Sequence, residues 1–196
     1  VKLIQDYSFA TLISLDELQN FSITHLPVLV ETEGEHITKI VTHMAANNPQ
    51  AKHLFSNPQA TLVFQGAHTY ISPRWYRSGR DVPTWNYEAV HISGKVNIIS
   101  DFDGLIDILK KTSSHYEGPE GWAFELPSDL VDPKILCRAI VGIELVPENI
   151  EAKSKLGQNR SREDQIGVIE GLSQERRDEN SLLIQKKMAT RLNKSL

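Results

Sequence analysis

The side chains with the clearest chemical potential lie between Thr42 and Lys52. Thr42, His43, Asn47, Asn48 and Lys52 place a hydroxyl, an imidazole, two amides and an amine within one short stretch. Asn48-Pro49 opens a short helix there, because Asn suits the N-cap and Pro the first helical position. Polar groups beside a helix N-terminus suit a phosphate, since the first backbone N–H groups lack helical partners and the dipole favours anions. The plainer reading, in which these residues only cap the helix, is compatible with anion binding. A second group is aromatic: Trp75, Tyr76, Trp85 and Tyr87, with Asn86 among them. Such rings stack on a planar ligand or bury area in a core or dimer interface, and interface is the expectation for most of them. Trp85 and Asn86 are best placed to reach a ligand. A phosphate site beside flat side chains implies a ligand with an anionic tail and a planar head.

Other chemistries are poorly served. His25, His43, His68 and His91 fall on or near strands without close spacing or neighbouring carboxylates, so no metal site is expected, and haem ligation by one of them has no more support. No general acid or base stands out as catalytic. The chain has no G-x-G-x-x-G, P-loop, H-E-x-x-H, G-x-S-x-G or C-x-x-C pattern, which removes the usual cases for a Rossmann enzyme, an NTPase, a zincin and an α/β-hydrolase. It does not remove flavin binding, because some flavin folds hold the phosphate without a glycine signature. Cys137 is the single cysteine, so no intramolecular disulfide forms and a reducing, cytoplasmic compartment is expected. No signal peptide and no apolar run of the roughly 20 residues that span a bilayer is visible.

The elements that must position these groups are mainly strands. The 196 residues are 40% apolar and 23% charged, which suits a buried core. Phe9–Ser14 reads as a strand buried on both faces, and Asn20–Val30 as a second with Ser22, Thr24 and His25 as its polar positions. Pro27 puts that strand at an edge or a bulge. Glu31–Glu35 is a turn into the strand that precedes Asn48. Ala60–Phe64 and Thr69–Ser72 read as two further strands. Val90–Ile99 alternates cleanly, with Gly94 marking a bulge or a barrel corner. Phe102, Leu105, Ile106 and Leu109 keep helical spacing after a capping-box-like Ser100–Asp103. The region 113–132 reads as irregular, and Ala139–Leu145 as a last strand ending near Pro147. A helix capped by Ser161 is expected to stop at Gly171, and Ser173 to cap a final one. Short turns between strands argue for an antiparallel barrel in an α+β fold. Residues 1–150 then form the barrel domain and 151–196 a C-terminal helical arm. Val1 falls inside what reads as a helix end, which suggests a preceding native segment.

Charge is uneven. Residues 1–150 carry 11 Lys/Arg against 18 Asp/Glu, a balance of −7, and residues 151–196 carry 10 against 7, a balance of +3. Neither is the strong footprint of a free-standing nucleic-acid binder. Arg74, Arg77 and Arg80 read as solvated loop charges. The basic arm reads as packing on the barrel or on a partner subunit.

Five stretches together resemble the PaiB-type family of FMN-binding negative transcriptional regulators: Thr24–Pro27, His43–Gln50, Gln65–Tyr76, Val82–Tyr87 and Lys155–Arg160. They span nearly the whole chain in family order. The resemblance implies a flavin-reductase-like split β-barrel and a homodimer with FMN between its subunits. The cofactor contacts it implies are Thr24, His25, Leu26, Thr42, His43, Met44, Asn47, Asn48, Trp85 and Asn86. Val41–Phe64 is also similar to the strand–helix–strand of pyridoxamine-phosphate oxidases. The Arg-Lys pair of that family is absent here, which argues against that oxidase activity. Three functions follow from these readings: an FMN-binding regulator that senses flavin or redox state, an oxidoreductase using NAD(P)H and a small acceptor, or an interaction protein with a vestigial pocket. Direct contact with DNA has little support in the sequence.

Overall fold

Period-two burial builds a seven-stranded sheet in this α+β chain. In the computed structural model, residues 1–79, 82–125 and 134–194 are described, with Lys134, Leu136 and Cys137 as backbone only. Arg80, residues 126–132 of the expected irregular region and the Cys137 side chain therefore lie outside the described residues. The strands are β1 (Phe9–Leu15), β2 (Phe21–Pro27), β3 (Leu29–Glu33), β4 (His36–Ala45), β5 (Gln59–Ile71), β6 (Thr84–Ile99) and β7 (Ile140–Lys155). Their order in the sheet is β2-β1-β5-β6-β7-β4-β3, and the pairs β1–β2, β1–β5, β3–β4 and β4–β7 are antiparallel. The helices are α1 (Lys2–Asp6), α2 (Pro49–Ser56), α3 (Phe102–Glu117), α4 (Lys134–Ala139), α5 (Arg162–Glu175) and α6 (Glu179–Lys194). This is the split-barrel fold class expected from the sequence. Among the described residues, no helix is long and apolar enough to cross a membrane.

Several element boundaries differ from the sequence expectation for physical reasons. β5 is one strand rather than two. Its buried side chains are Ala60, Leu62 and Phe64, then Ala67, Thr69 and Ile71, so the inward face changes parity at Gly66-Ala67. A period-two reading breaks at that slip although the backbone continues. β6 begins at Thr84, ahead of the clean alternation. At Gly94 two strands approach closely, since a Cβ there would lie 2.0 Å from the Val146 carbonyl oxygen. β7 continues through Pro147. Its pairing with β4 ends at Leu145, so the missing proline N–H removes no bond to that neighbour. α3 is capped by Asp101, whose carboxylate accepts the Gly104 N–H at 2.9 Å, and it extends over residues 113–117. α5 runs through Gly171 because the Trp75 ring fills the space a side chain would need: a Cβ would sit 2.3 Å from Trp75 Cγ. Ser173 lies inside α5, and Asp178 is the residue whose carboxylate accepts an α6 N–H, that of Ser181.

The described chain forms two compact units. One comprises Val1–Phe64 and Val90–Glu151, and the other Gln65–Ala89 and Ala152–Leu196. The first is built on a core that includes Leu12, Ile40, Leu62, Phe64, Ile92 and Leu145. The second packs Ala67, Ile71, Trp75, Tyr76, Leu172 and Met188. Trp75 and Tyr76 are thus buried in their own chain, which corrects the expectation that they serve an interface.

Candidate functional site

Side-chain alternation sorts the expected contacts on β2. Thr24 and Leu26 share one face with Ser22, while His25 shares the other with Phe21 and Ile23. The inward face is the polar one. Ser22 Oγ lies 2.8 Å from His53 Nδ1, and Thr24 Oγ1 accepts from the Asn48 side-chain amide at 3.0 Å. Leu26 is buried in the core. The outward face carries Phe21 and Ile23, 75% and 58% exposed, and Phe9 on β1 is 68% exposed, so β1 is buried on one face only and not on both as its apolar run suggested. Phe9 stacks on His25 with ring centroids 6.2 Å apart. Reading Ser22, Thr24 and His25 together as polar positions missed this inversion. The alternating Phe21 and Ile23 were the signal for it.

β4 sorts the next three in the same way. Thr42 and Met44 point to the core side, and Met44 is part of the core itself. The Thr42 hydroxyl donates to the Pro27 carbonyl oxygen at 2.6 Å, which fixes the end of β2 against β4. His43 faces the other way, opposite Gly142, where a Cβ would meet Ile108 of α3 at 2.5 Å. His43 is half-buried and its Nδ1 has no hydrogen-bond partner. Burial holds its pKa below the usual imidazole range, so it is neutral at neutral pH.

The start of α2 is closed by its own cap. Asn48 Oδ1 accepts the Gln50 N–H at 3.0 Å, its backbone carbonyl accepts the Ala51 N–H at 3.0 Å, and Pro49 has no N–H to offer. An anion at this end would meet the dipole, the Asn47 amide and the Lys52 amine rather than open backbone donors; both of those side chains are exposed. Sequence reasoning did not single out Gln50, which is 2% exposed. Its amide nitrogen donates to the Ser22 carbonyl at 2.9 Å and to Ser14 Oγ at 3.0 Å, while its Oε1 has no partner. This ties α2 to β1 and β2. The signal was a glutamine on the buried face of an otherwise short amphipathic helix. Thr24 and Asn48 already meet, and the hydroxyl, amide and amine groups of Thr24, Asn47, Asn48 and Lys52 are the kinds of donor and acceptor that the hydroxyl-rich chain and phosphate of a flavin mononucleotide need.

Trp85 and Asn86 belong to the second unit. Asn86 is 2% exposed and its amide meets Met188 Sδ at 3.3 Å, a core position. Trp85 is 52% exposed, beside His68 and Tyr70. The 72–79 loop is fastened to α5. Arg74 and the Trp75 indole N–H reach Glu175 at 2.8 and 2.9 Å, Arg77 reaches Glu170 at 2.8 Å, and Asp164 accepts the Ser78 N–H at 2.8 Å. Arg74 and Arg77 are therefore paired as well as solvated. Among the described residues, no group of three or more His, Cys, Asp or Glu side chains is placed to hold a metal ion.

The family described as "Putative FMN-binding domain" matches residues 1–149. The chain is similar to the protease synthase and sporulation protein PAI 2 of Bacillus subtilis, with 35% identity over 178 residues, 88% of this chain and 82% of that protein. Solved structures share the fold at low identity. The FAD and heme binding protein of Mycobacterium smegmatis aligns with a TM-score of 0.59 and 14% identity, over 83% of this chain and 73% of that one. The flavocytochrome Anf3 of Azotobacter vinelandii aligns with a TM-score of 0.54 and 13% identity, over 79% of this chain and 66% of that one.

Proposed function

The chain belongs to the FMN-binding domain family of PaiB type, a flavin is its cofactor, and from that premise we propose that it works as a homodimeric negative regulator of transcription that responds to flavin or its redox state. The observation that carries the dimer is the outward face of β1 and β2. Phe9, Phe21 and Ile23 stand exposed there while the polar Ser22 and Thr24 of the same hairpin turn inward. Phe21 and Ile23 are neighbours at one end of this face and Phe9 lies at its other end, and large apolar side chains left exposed along one face mark an interaction surface. An isologous two-fold contact between copies would cover it with the same patch.

For the cofactor, Asn47 and Lys52 take the phosphate end, with the dipole of α2 behind them. Thr24 and Asn48, fixed to each other, present hydroxyl and amide groups to the ribityl chain. Thr42 has spent its proton on Pro27, so only its lone pairs can meet a ligand. Neutral His43 keeps one buried nitrogen without a partner, a contact for a ligand group that reaches it. Bound FMN accepts and returns electrons, and the protein supplies binding and orientation. The regulatory reading draws on the similarity to a protein named for protease synthase and sporulation rather than for a redox reaction.

The test combines three measurements on the purified chain: sedimentation, titration with FMN followed by flavin fluorescence, and NAD(P)H oxidation with several acceptors. We expect a dimer that binds FMN saturably without sustained turnover. Phe21→Glu should give a folded monomer with weaker FMN uptake. A monomeric wild-type protein would overturn the dimer, and steady NAD(P)H turnover would replace the regulator with an oxidoreductase.

A further inference from the structure

The second unit regroups the charge that the linear sequence spreads out. Residues 65–89 and 152–196 carry 13 Lys/Arg against 8 Asp/Glu, a balance of +5. The other unit carries 8 against 17, a balance of −9. Some of the positive charge is spent internally, on the Arg74–Glu175, Arg77–Glu170 and Lys187–Glu88 pairs. Exposed Lys153, Arg162, Arg177 and Lys186 add to it.

Within this basic unit, three rings cluster on β5 and β6, Trp85 exposed and His68 and Tyr70 half-buried. The Trp85 indole lies 6.2 Å from both His68 and Tyr70, tilted on the first and edge-on to the second. The Arg176 guanidinium lies 5.9 Å from the centroid of the Tyr70 ring. Arg176 also feels the Asp178 carboxylate in its own segment. Half of Trp85 remains open to solvent although apolar residues elsewhere in this unit are packed around Trp75. Exposed aromatic rings beside arginine on a positively charged surface are the recurring means of holding unpaired bases and the phosphates that link them.

We propose that the Trp85–Tyr70–His68 cluster with Arg176 is a stacking platform for a single-stranded nucleic acid segment. Trp85 takes a base on its open face, and the unit's net positive charge attracts the backbone. The segment must be single-stranded, because a base inside a duplex has no free face to offer an indole. This deepens the regulatory reading above and rests on it only for its cellular role.

The test is fluorescence anisotropy of a labelled oligothymidylate with the full-length chain, at low salt and across a salt series. Wild-type protein should bind, and the affinity should fall as salt rises. Trp85→Ala should weaken binding roughly 5- to 150-fold, the range expected from losing one base–aromatic stack. Trp85→Phe should recover most of the loss, since it restores a ring. Arg176→Gln should reduce the slope of log affinity against log salt by about 0.7, as expected for one phosphate contact on a single strand. Equal affinity for Trp85→Ala and wild type, no binding at low salt, or equal binding of a blunt duplex would each overturn the proposal. Displacement of the oligonucleotide by stoichiometric FMN would overturn it too, because the platform would then belong to the flavin. Saturable FMN binding with no oligonucleotide binding would sink this inference and leave the flavin reading standing.

Discussion

Asn48 offers a way to separate folding from flavin binding at one position. Its side chain does two things: Oδ1 caps α2 by accepting the Gln50 N–H at 3.0 Å, and Nδ2 donates to Thr24 Oγ1 at 3.0 Å. Asn48→Ala removes both. Losing an Asn cap costs about 1 kcal/mol, and a half-buried hydrogen bond about 0.5–1.5 kcal/mol, so the total is about 1.5–2.5 kcal/mol. For a chain of this size that corresponds to a Tm lower by roughly 3–10 °C. Asn48→Asp keeps the cap acceptor and places a negative charge favourably for the helix dipole, so its stability should stay within about 1 kcal/mol of wild type. The same charge repels a phosphate at that end. Two unit charges about 4 Å apart cost about 1 kcal/mol even at the dielectric of water, so FMN affinity should fall at least roughly fivefold. Urea unfolding reads the first effect and flavin fluorescence titration the second. Wild-type FMN affinity in a stable Asn48→Asp variant would refute placing the phosphate at the start of α2. Unchanged stability in Asn48→Ala would refute the capping account.

Two further outcomes follow from the second unit. Gly171→Ala adds a methyl 2.3 Å from Trp75 Cγ, so overpacking of about 1–3 kcal/mol should outweigh the helix-propensity gain of about 1 kcal/mol and lower the Tm; a raised Tm would refute that packing. The Asp164 carboxyl is held below the usual carboxylate range, chiefly by the Ser78 N–H it accepts. A depressed carboxylate stabilises the fold above its ordinary pKa of about 3.9 and loses that contribution as pH falls through the lower folded value. Asp164→Asn should therefore flatten the acid limb of urea-midpoint stability below about pH 4, and an unchanged acid limb would refute the linkage.

Much of the architecture was written in local patterns. The apolar run of β1, alternation in the second half of β6, the Asn48-Pro49 start of α2, the helical spacing after Asp101 and the glycine turn at Gly34 all depend on near neighbours and backbone preference, so they could be read without the fold, although the one-sided burial of β1 could not. The polar residues around Asn48 were visible for the same reason. Where a position depends on what packs against it, the sequence was silent or misleading. Gly171 reads as a helix stop, yet it stays helical because Trp75, 96 positions earlier, needs its missing side chain. The joint at Gly66-Ala67 looks like a break between strands, because the inward face changes parity as one strand passes from one core to another.

The split between chemistry and geometry is sharpest at the candidate site. Residue types alone determined that a hydroxyl, an imidazole and amides cluster before a helix, and that aromatic residues follow. Only the tertiary structure decided which of them face each other. It turned Thr24 inward to Asn48 and His25 outward to Phe9, because successive strand residues point to opposite faces. It spent the Thr42 proton on Pro27 and put Asn86 in a core while leaving Trp85 open. Those outcomes are set by long-range pairing and burial, quantities that no stretch of sequence contains by itself.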